Sequence, residues 1–165
     1  MDFLVLIVAI FATWKLGNWK HWQKYHSTML FICIGNMLYI IVYSNHYLWR
    51  IKPTLLLNFV SLEPLYTFII LPLTVLIFLS KYPITKKDKI LYNAKYIIIY
   101  FLIEIVFYLY GKIFYYHGWN IWWSLGWDCM MFPMLALHHQ KPLNAYMASI
   151  IVIMVMLVLF PVSIR

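Results

Sequence analysis

Two carboxyl groups, Glu104 and Asp128, lie within long apolar stretches of the sequence. A charged side chain at the centre of a bilayer costs about 2.5 to 3.5 kcal/mol on the most lenient insertion scale, so each group needs a physical reason. Counted at about 1.5 Å per helical residue from the nearest span boundaries, Glu104, Asp128 and Asn36 reach similar depths near the midplane. Tyr100 and Tyr108 lie four residues before and after Glu104 and can supply hydroxyl groups.

These five residues form a predicted intramembrane polar cluster with two open interpretations. No Lys or Arg falls at that depth, so both carboxyl groups cannot be ionised without a bound cation, water or an outside partner. At least one of them is therefore expected to be protonated. The cluster is either a proton or cation site, or a neutral hydrogen-bonded group that holds the helices together.

A second group of candidates, His46, Glu63 and His117, is expected on the outer side of the membrane. Glu63 directly precedes Pro64, where the positive end of a helix dipole favours a carboxylate, so helix capping is the expected role. With the two histidines it could also bind a metal ion, although the wide sequence separation argues against such a site.

A third group is expected on the inner surface. His138 and His139 are adjacent, so on a helix they point about 100 degrees apart and cannot chelate one ion together. With His21, His26 and Lys141, they are predicted to contact lipid phosphates.

The sequence contains no P-loop, no GxSxG, no HExxH and no dinucleotide fingerprint. It therefore predicts no catalytic residues, identifies no cofactor and does not favour an enzyme.

The elements that position these residues are apolar. Hydrophobic residues make up 65% of the 165 residues and charged residues 11%, a balance that favours a single membrane domain over residues 1–165. Lys and Arg, which dominate the net charge of +8, fall in short clusters between apolar runs. This arrangement indicates membrane topology and excludes a nucleic-acid partner.

Apolar runs predict an all-α, polytopic bundle of about six spans, near residues 3–16, 28–48, 64–80, 95–115, 121–138 and 143–162. The first run is short, so five spans with an interfacial N-terminal helix is an alternative. The apolar segment Thr54–Glu63 is too short to cross and is expected to lie along or dip into one face. Pro72 and Pro133 are predicted to free the backbone carbonyls of Phe68 and Cys129.

Loop charge predicts the orientation. Nine basic residues fall in or beside one set of alternate loops and four on the other side, so the first set is expected in the cytoplasm and both termini outside. The nine are Lys15, Lys20, Lys24, Lys81, Lys86, Lys87, Lys89, Lys95 and Lys141, and the four are Arg50, Lys52, Lys112 and Arg165.

Several motifs carry a family resemblance, chiefly Trp19-Lys20-His21-Trp22-Gln23-Lys24-Tyr25, His117-Gly118-Trp119-Asn120-Ile121-Trp122-Trp123-Ser124 and His138-His139-Gln140-Lys141-Pro142-Leu143. With them, the chain resembles an uncharacterised family of small multi-spanning membrane proteins of endospore-forming Gram-positive bacteria. The resemblance implies a bacterial cytoplasmic membrane and no specific activity. That family often has an acidic residue in the slot of Asn36 and an amide near the slot of Asp128, so this chain departs from it at both.

Two functions follow as hypotheses. The first is proton- or cation-linked transport or permeation through the polar cluster, as an oligomer because six short helices enclose little volume. The second is a non-catalytic partner that packs against another membrane protein or organises lipid, as the Trp, Tyr and Met content would allow. The bilayer is the partner common to both. A lipid-modifying enzyme that uses the inner histidines is the least supported alternative.

The orientation is testable with cysteine labelling. In a background without Cys33 and Cys129, a cysteine at Ser44 or Asn120 should react with an impermeant thiol reagent from outside the cell, and one at Lys87 should not, because the lysine-rich loops face the cytoplasm. Labelling in the opposite pattern would reverse the topology.

Overall fold

The computed structural model describes the backbone of residues 2–52 and 63–162, and side chains in these ranges from Ile7 onward. Six α-helices lie within these ranges: α1 (Asp2–Leu16), α2 (Gln23–Val42), α3 (Glu63–Ser80), α4 (Lys86–Leu109), α5 (Ile121–Gln140) and α6 (Pro142–Leu159). Two short strands, β1 (Trp49–Ile51) and β2 (Ile113–Tyr115), pair antiparallel with Arg50 opposite Phe114. The fold is therefore an all-α helix bundle with one small strand pair.

Four helices, α2, α3, α4 and α6, are long and apolar enough to cross a membrane. Helix α5 has 20 residues, as α2 does, and packs against α2, α4 and α6. Large apolar residues on α4 and α6 are exposed, among them Leu102 and Ile151. These surfaces suit contact with lipid, as expected for a polytopic membrane protein.

The links between helices gather at two ends of the bundle. At one end, the Asn18 amide donates to Ser80 Oγ at 2.7 Å, and Lys89 Nζ donates to Gln140 Oε1 at 3.5 Å. Because the three lysine-bearing links meet there, we call it the lysine end. The opposite end carries β1 and β2, and we call it the strand end.

Helix α4 differs from its predicted span of 95–115 at both boundaries. Thr85 Oγ1 accepts from the Asp88 amide at 3.2 Å and donates to Asp88 Oδ2 at 2.6 Å, a capping arrangement that begins the helix at Lys86. Gly111, at φ 60°, ends it. The Gly111 and Lys112 amides donate back to the Tyr108 and Phe107 carbonyls, which is a Schellman motif.

Helix α2 also ends before its predicted boundary, at Val42 rather than residue 48. Beyond it, the polar residues Ser44 and Asn45 lie in a turn that sends the chain back, and Leu48 is fully buried in a cluster with Tyr43, Trp119 and Phe160. The predicted span ran past this turn because apolar and aromatic residues resume at Tyr47 and Leu48.

Pro72 lies just after a π-helical segment, Tyr66–Ile70, inside α3. The wider turn accommodates the missing backbone hydrogen bond that a proline imposes. Within that segment, the Thr67 carbonyl accepts a hydrogen bond from Cys33 Sγ at 3.1 Å, so α2 is fastened to the irregular turn.

The central core lies between α2, α3 and α5. It consists of Tyr25, Ile32, Cys33, Val75, Leu76, Phe78, Leu79, Phe132, Leu135 and Ala136, all buried.

Helix α1 packs along α3. Its 15 residues rise about 22 Å, less than the roughly 30 Å of a bilayer core, so the five-span alternative stays open. The predicted face-lying segment, apart from Glu63, falls on residues 53–62, which are outside the described ranges.

Gly17, just after α1, makes a close approach. A Cβ atom there would lie 2.6 Å from the Thr13 carbonyl oxygen and 3.2 Å from Leu76 Cγ, whereas one at Gly35 would meet nothing within 4 Å. Gly17→Ala should therefore destabilise the protein by about 1–3 kcal/mol, measured by unfolding in detergent. Gly35→Ala is the control, and it should not destabilise the protein and should stabilise it by up to about 1 kcal/mol, because Gly35 lies inside α2 where alanine is the better helix former. Equal changes in stability for the two variants would show that packing at position 17 does not require glycine.

Candidate functional site

Glu104 is hydrogen-bonded to β2. Its Oε1 accepts from the Tyr115 hydroxyl at 2.7 Å, because the Gly111 turn brings β2 back against the end of α4. The Tyr115 ring stacks on Tyr108 with centroids 5.5 Å apart. The hydroxyl partner of Glu104 is thus Tyr115, and not the helix neighbours Tyr100 and Tyr108 that sequence spacing suggested.

Tyr115 is held as a neutral donor. Burial raises the pKa of its hydroxyl above the ordinary value, the hydrogen bond with Glu104 raises it further, and the Ser124 hydroxyl acts in the opposite direction. Ser124 also accepts from Trp119 Nε1 at 2.9 Å. A polar network therefore runs from Glu104 through Tyr115 to the strand end of α5.

Asp128 lies on α5, one helical turn beyond Ser124, and is only 7% exposed. Its carboxyl group interacts electrostatically with Glu104 and with the Tyr100 hydroxyl. Within the described ranges, neither carboxyl group forms an ion pair with a basic side chain, and Asp128 has no hydrogen-bond donor. Buried Asp128 and half-buried Glu104 therefore lie in one region, and no described basic side chain is paired with either of them.

Hydroxyl and carboxyl groups occupy every fourth position along α4, and we call them the α4 row: Tyr92, Tyr96, Tyr100, Glu104 and Tyr108. The Tyr92 hydroxyl donates to the Phe78 carbonyl at 3.1 Å and lies 3.3 Å from the Tyr96 hydroxyl. The Tyr100 hydroxyl forms a short hydrogen bond with Thr74 of α3. Each step of the row rises about 6 Å.

Asn36 belongs to a different hydrogen-bonded group. Its Nδ2 donates to Thr67 Oγ1 at 2.7 Å, and Thr67 in turn donates to the Glu63 carbonyl at 2.7 Å. The structure therefore places Glu104, Asp128, Tyr100 and Tyr108 in one region and joins Asn36 to the π segment of α3.

The carboxyl groups also lie nearer the strand end than the midplane that their sequence positions suggested. Glu104 is five residues before Leu109, about 8 Å along the helix, and it bonds to β2. Because the predicted span extended beyond Leu109, where α4 ends, the sequence placed Glu104 too close to the midplane.

At the strand end, His46 and His117 stack with ring centroids 3.5 Å apart. His117 has a left-handed backbone, at φ 53°, and its Nδ1 lies 2.9 Å from the Tyr47 carbonyl. Glu63 interacts instead with Arg50 and Tyr39. No described set of three His, Cys, Asp or Glu residues could hold a metal ion, so the described geometry does not support the three-residue metal site.

At the lysine end, His138 corrects a prediction. It is 2% exposed, lies 3.0 Å from Thr28 Oγ1 and 3.2 Å from the Tyr146 hydroxyl, and stacks on Phe31. Because His138 is buried, it cannot contact lipid phosphates. Adjacent helical residues point about 100 degrees apart, so His138 faces the bundle while His139 is exposed.

The other predicted inner-surface residues are exposed. His21, His26, His139 and Lys141 remain available to the membrane surface, and His139 stacks on Tyr25 with centroids 5.4 Å apart.

Four partners in these groups were missed by sequence reasoning: Thr28, Thr67, Thr74 and Tyr115. Gly111 carried the one usable signal, since a glycine after an apolar run predicts a helix end and a reversal towards Tyr115. Thr28 lies 110 residues from His138, and no local pattern connects them.

Tyr115→Phe removes the donor of Glu104. It should destabilise the protein by about 1 kcal/mol, because a half-buried acceptor loses its partner. Tyr116→Phe, at the neighbouring exposed position, is the control and should change stability by less than about 0.5 kcal/mol. Adding Glu104→Leu to Tyr115→Phe should recover part of the loss in a thermal unfolding cycle; strict additivity would argue against the bond's importance.

The site is thus an acidic pair, half-buried Glu104 and buried Asp128, continued by the α4 row towards the lysine end. No protein-family model, curated protein or solved structure matches the chain.

Proposed function

We propose that this protein permits protons, alone or linked to a cation, to cross the bacterial cytoplasmic membrane along the α4 row. The observation that carries the proposal is the pair of buried Asp128 and half-buried Glu104, which interact with each other and have no basic partner among the described residues. Such intramembrane acids mark proton relays and ion paths in membrane proteins.

The order of hydroxyl and carboxyl groups along the row supports a path between the two ends. Hydrogen bonds join Tyr92 to Tyr96 at 3.3 Å and Tyr115 to Glu104 at 2.7 Å. The steps from Tyr96 to Tyr100, from Tyr100 to Asp128 and from Asp128 to Glu104 are electrostatic interactions. Each of these groups carries an O–H or accepts one, which is the chemistry that a proton path needs.

Both ends of the row lie near solvent-accessible groups. Tyr82 lines an open cavity at the lysine end, and Tyr108 is 50% exposed near the strand end. Between them, the acidic pair would hold one proton or one cation, since two adjacent carboxylates in a low dielectric repel each other strongly.

The orientation in this proposal puts the lysine end in the cytoplasm. Lysines are concentrated in the links at that end, whereas Arg50, Lys52 and Lys112 lie at the strand end. This distribution follows the positive-inside rule.

A structural role is the second candidate. Tyr96 and Tyr100 pack against Phe132 with ring centroids 5.7 and 5.1 Å apart, and Tyr96 also packs against Phe78. Such close aromatic packing would also serve a rigid bundle that supports another membrane protein or a second copy of itself.

Carboxyl-to-amide variants separate the two candidates. Glu104→Gln keeps an oxygen acceptor for Tyr115, and Asp128→Asn keeps the side-chain volume, so both should fold. Each should lower proton flux at least about tenfold in proteoliposomes with an imposed potential and an internal pH-sensitive dye, because mutation of an intramembrane proton relay removes its titratable group.

Asp88→Asn provides the control, because Asp88 is an exposed carboxylate that caps α4 outside the row. Its flux should match that of the wild-type protein. Wild-type flux in both amide variants, together with stoichiometric co-purification of a membrane protein, would replace transport by the structural role.

A further inference from the structure

A cavity of about 330 Å³ opens at the lysine end, where α2 and α4 begin and α3 and α5 end. Polar groups in its wall come from three different helices: Lys24 from α2, Lys89 from α4, and His139 and Gln140 from α5. Because four helix ends converge there, the cavity lies at the level of the helix termini and not in the apolar middle of the bundle.

The charge of this cavity is positive. Two lysines line it, and no Asp or Glu is among its described lining residues. Lys89 is half-buried, and its Nζ is held 3.5 Å from Gln140 Oε1 and 5.8 Å from the centroid of the Tyr82 ring. The positive dipole ends of α2 and α4 are offset by the negative dipole ends of α3 and α5, so the lysines set the charge of the cavity.

The remaining wall is apolar. Leu79 is 4% exposed and forms part of the central core, whereas Ile84 is 92% exposed beside Pro83. An isoleucine so exposed at the end of a membrane bundle adjoins the level at which lipid glycerol and acyl groups begin. The cavity thus combines cationic donors with an apolar edge.

We propose that this cavity binds the phosphate group of an anionic ligand through Lys24 and Lys89. Phosphate suits two separate ammonium groups, since lysine binds it as a point charge and the Gln140 amide can add a directed N–H donor. The phosphate is carried either by an anionic lipid headgroup or by a soluble phosphate. The site is distinct from the α4 row and does not depend on proton permeation.

The test uses the full chain purified in a neutral detergent. Native mass spectrometry would measure retention of dioleoyl phosphatidylglycerol, with dioleoyl phosphatidylcholine as the neutral-headgroup comparison. Lys24→Gln/Lys89→Gln should weaken phosphatidylglycerol binding about tenfold, because each removed lysine takes away part of the headgroup attraction. Lys86→Gln/Lys87→Gln removes the same charge from exposed positions outside the cavity and should change binding less than about twofold.

A second arm titrates inorganic phosphate and follows the thermal shift. Stabilisation that is lost only in Lys24→Gln/Lys89→Gln would identify a soluble phosphate, whereas selective retention of the anionic lipid alone would identify the headgroup. Equal loss in both double variants, equal retention of both lipids, or no binding in either arm would overturn the proposal.

A third variant guards against misfolding. Lys24→Arg/Lys89→Arg keeps both charges and should retain binding if the cationic cavity is the site. If the glutamine pair fails to fold, Lys24→Gln alone serves, because Lys24 is exposed and its replacement leaves the Lys89–Gln140 contact in place. Unchanged phosphatidylglycerol binding in that single variant would also overturn the proposal.

Discussion

A bilayer supplies no water to the polar groups inside it, so the hydroxyl, imidazole and carboxyl groups of this bundle need partners from the protein. The described contacts follow this constraint. Thr28 bonds to His138, Thr67 to Asn36 and Thr74 to Tyr100, and each bond joins two different helices. These hydrogen bonds satisfy the polar side chains and also fix the orientation of the helices. Small hydroxyl residues therefore stabilise the packing of apolar helices. Asp128 differs from them, since it is buried near Glu104 and has no hydrogen-bond donor among the described residues.

At the strand end, irregular backbone also supplies a partner for a polar group of the bundle. Gly111 ends α4 and turns the chain so that β2 can pair with β1, and this pairing places Tyr115 over Glu104. The same end is closed by Trp119 and Phe160, which are packed together and buried. A change in the turn would therefore disturb the acidic pair without touching either carboxyl group. The π segment of α3 has a similar relation to Asn36, because it presents Thr67 to α2.

The two proposed sites lie towards opposite ends of the molecule and differ in their chemistry. The pair near the strand end consists of two carboxyl groups with no basic partner among the described residues, whereas the described wall of the cavity at the lysine end carries two lysines and no acidic residue. Tyr82 lies where the two regions meet, since it lines the cavity, accepts a hydrogen bond from Asn93 and interacts with Tyr92 of the row. An anion held by Lys24 and Lys89 would therefore lie beside the first member of the row and change the potential that a proton meets there.

The sequence alone determined the all-α membrane class, the separation of basic residues between two ends, and the unusual position of Glu104 and Asp128 in apolar helices. These features follow from composition and from local spacing, because helix geometry determines which residues share a face and how deep each one lies. It did not determine that α4 begins at Lys86 and ends at Leu109, or that His138 is buried while His139 is exposed. It also could not pair Glu104 with Tyr115 or Thr28 with His138, because such partners are chosen by how helices far apart in the chain pack. Tertiary structure decided these contacts, since a bilayer requires buried polar groups to be satisfied but does not specify by which residue.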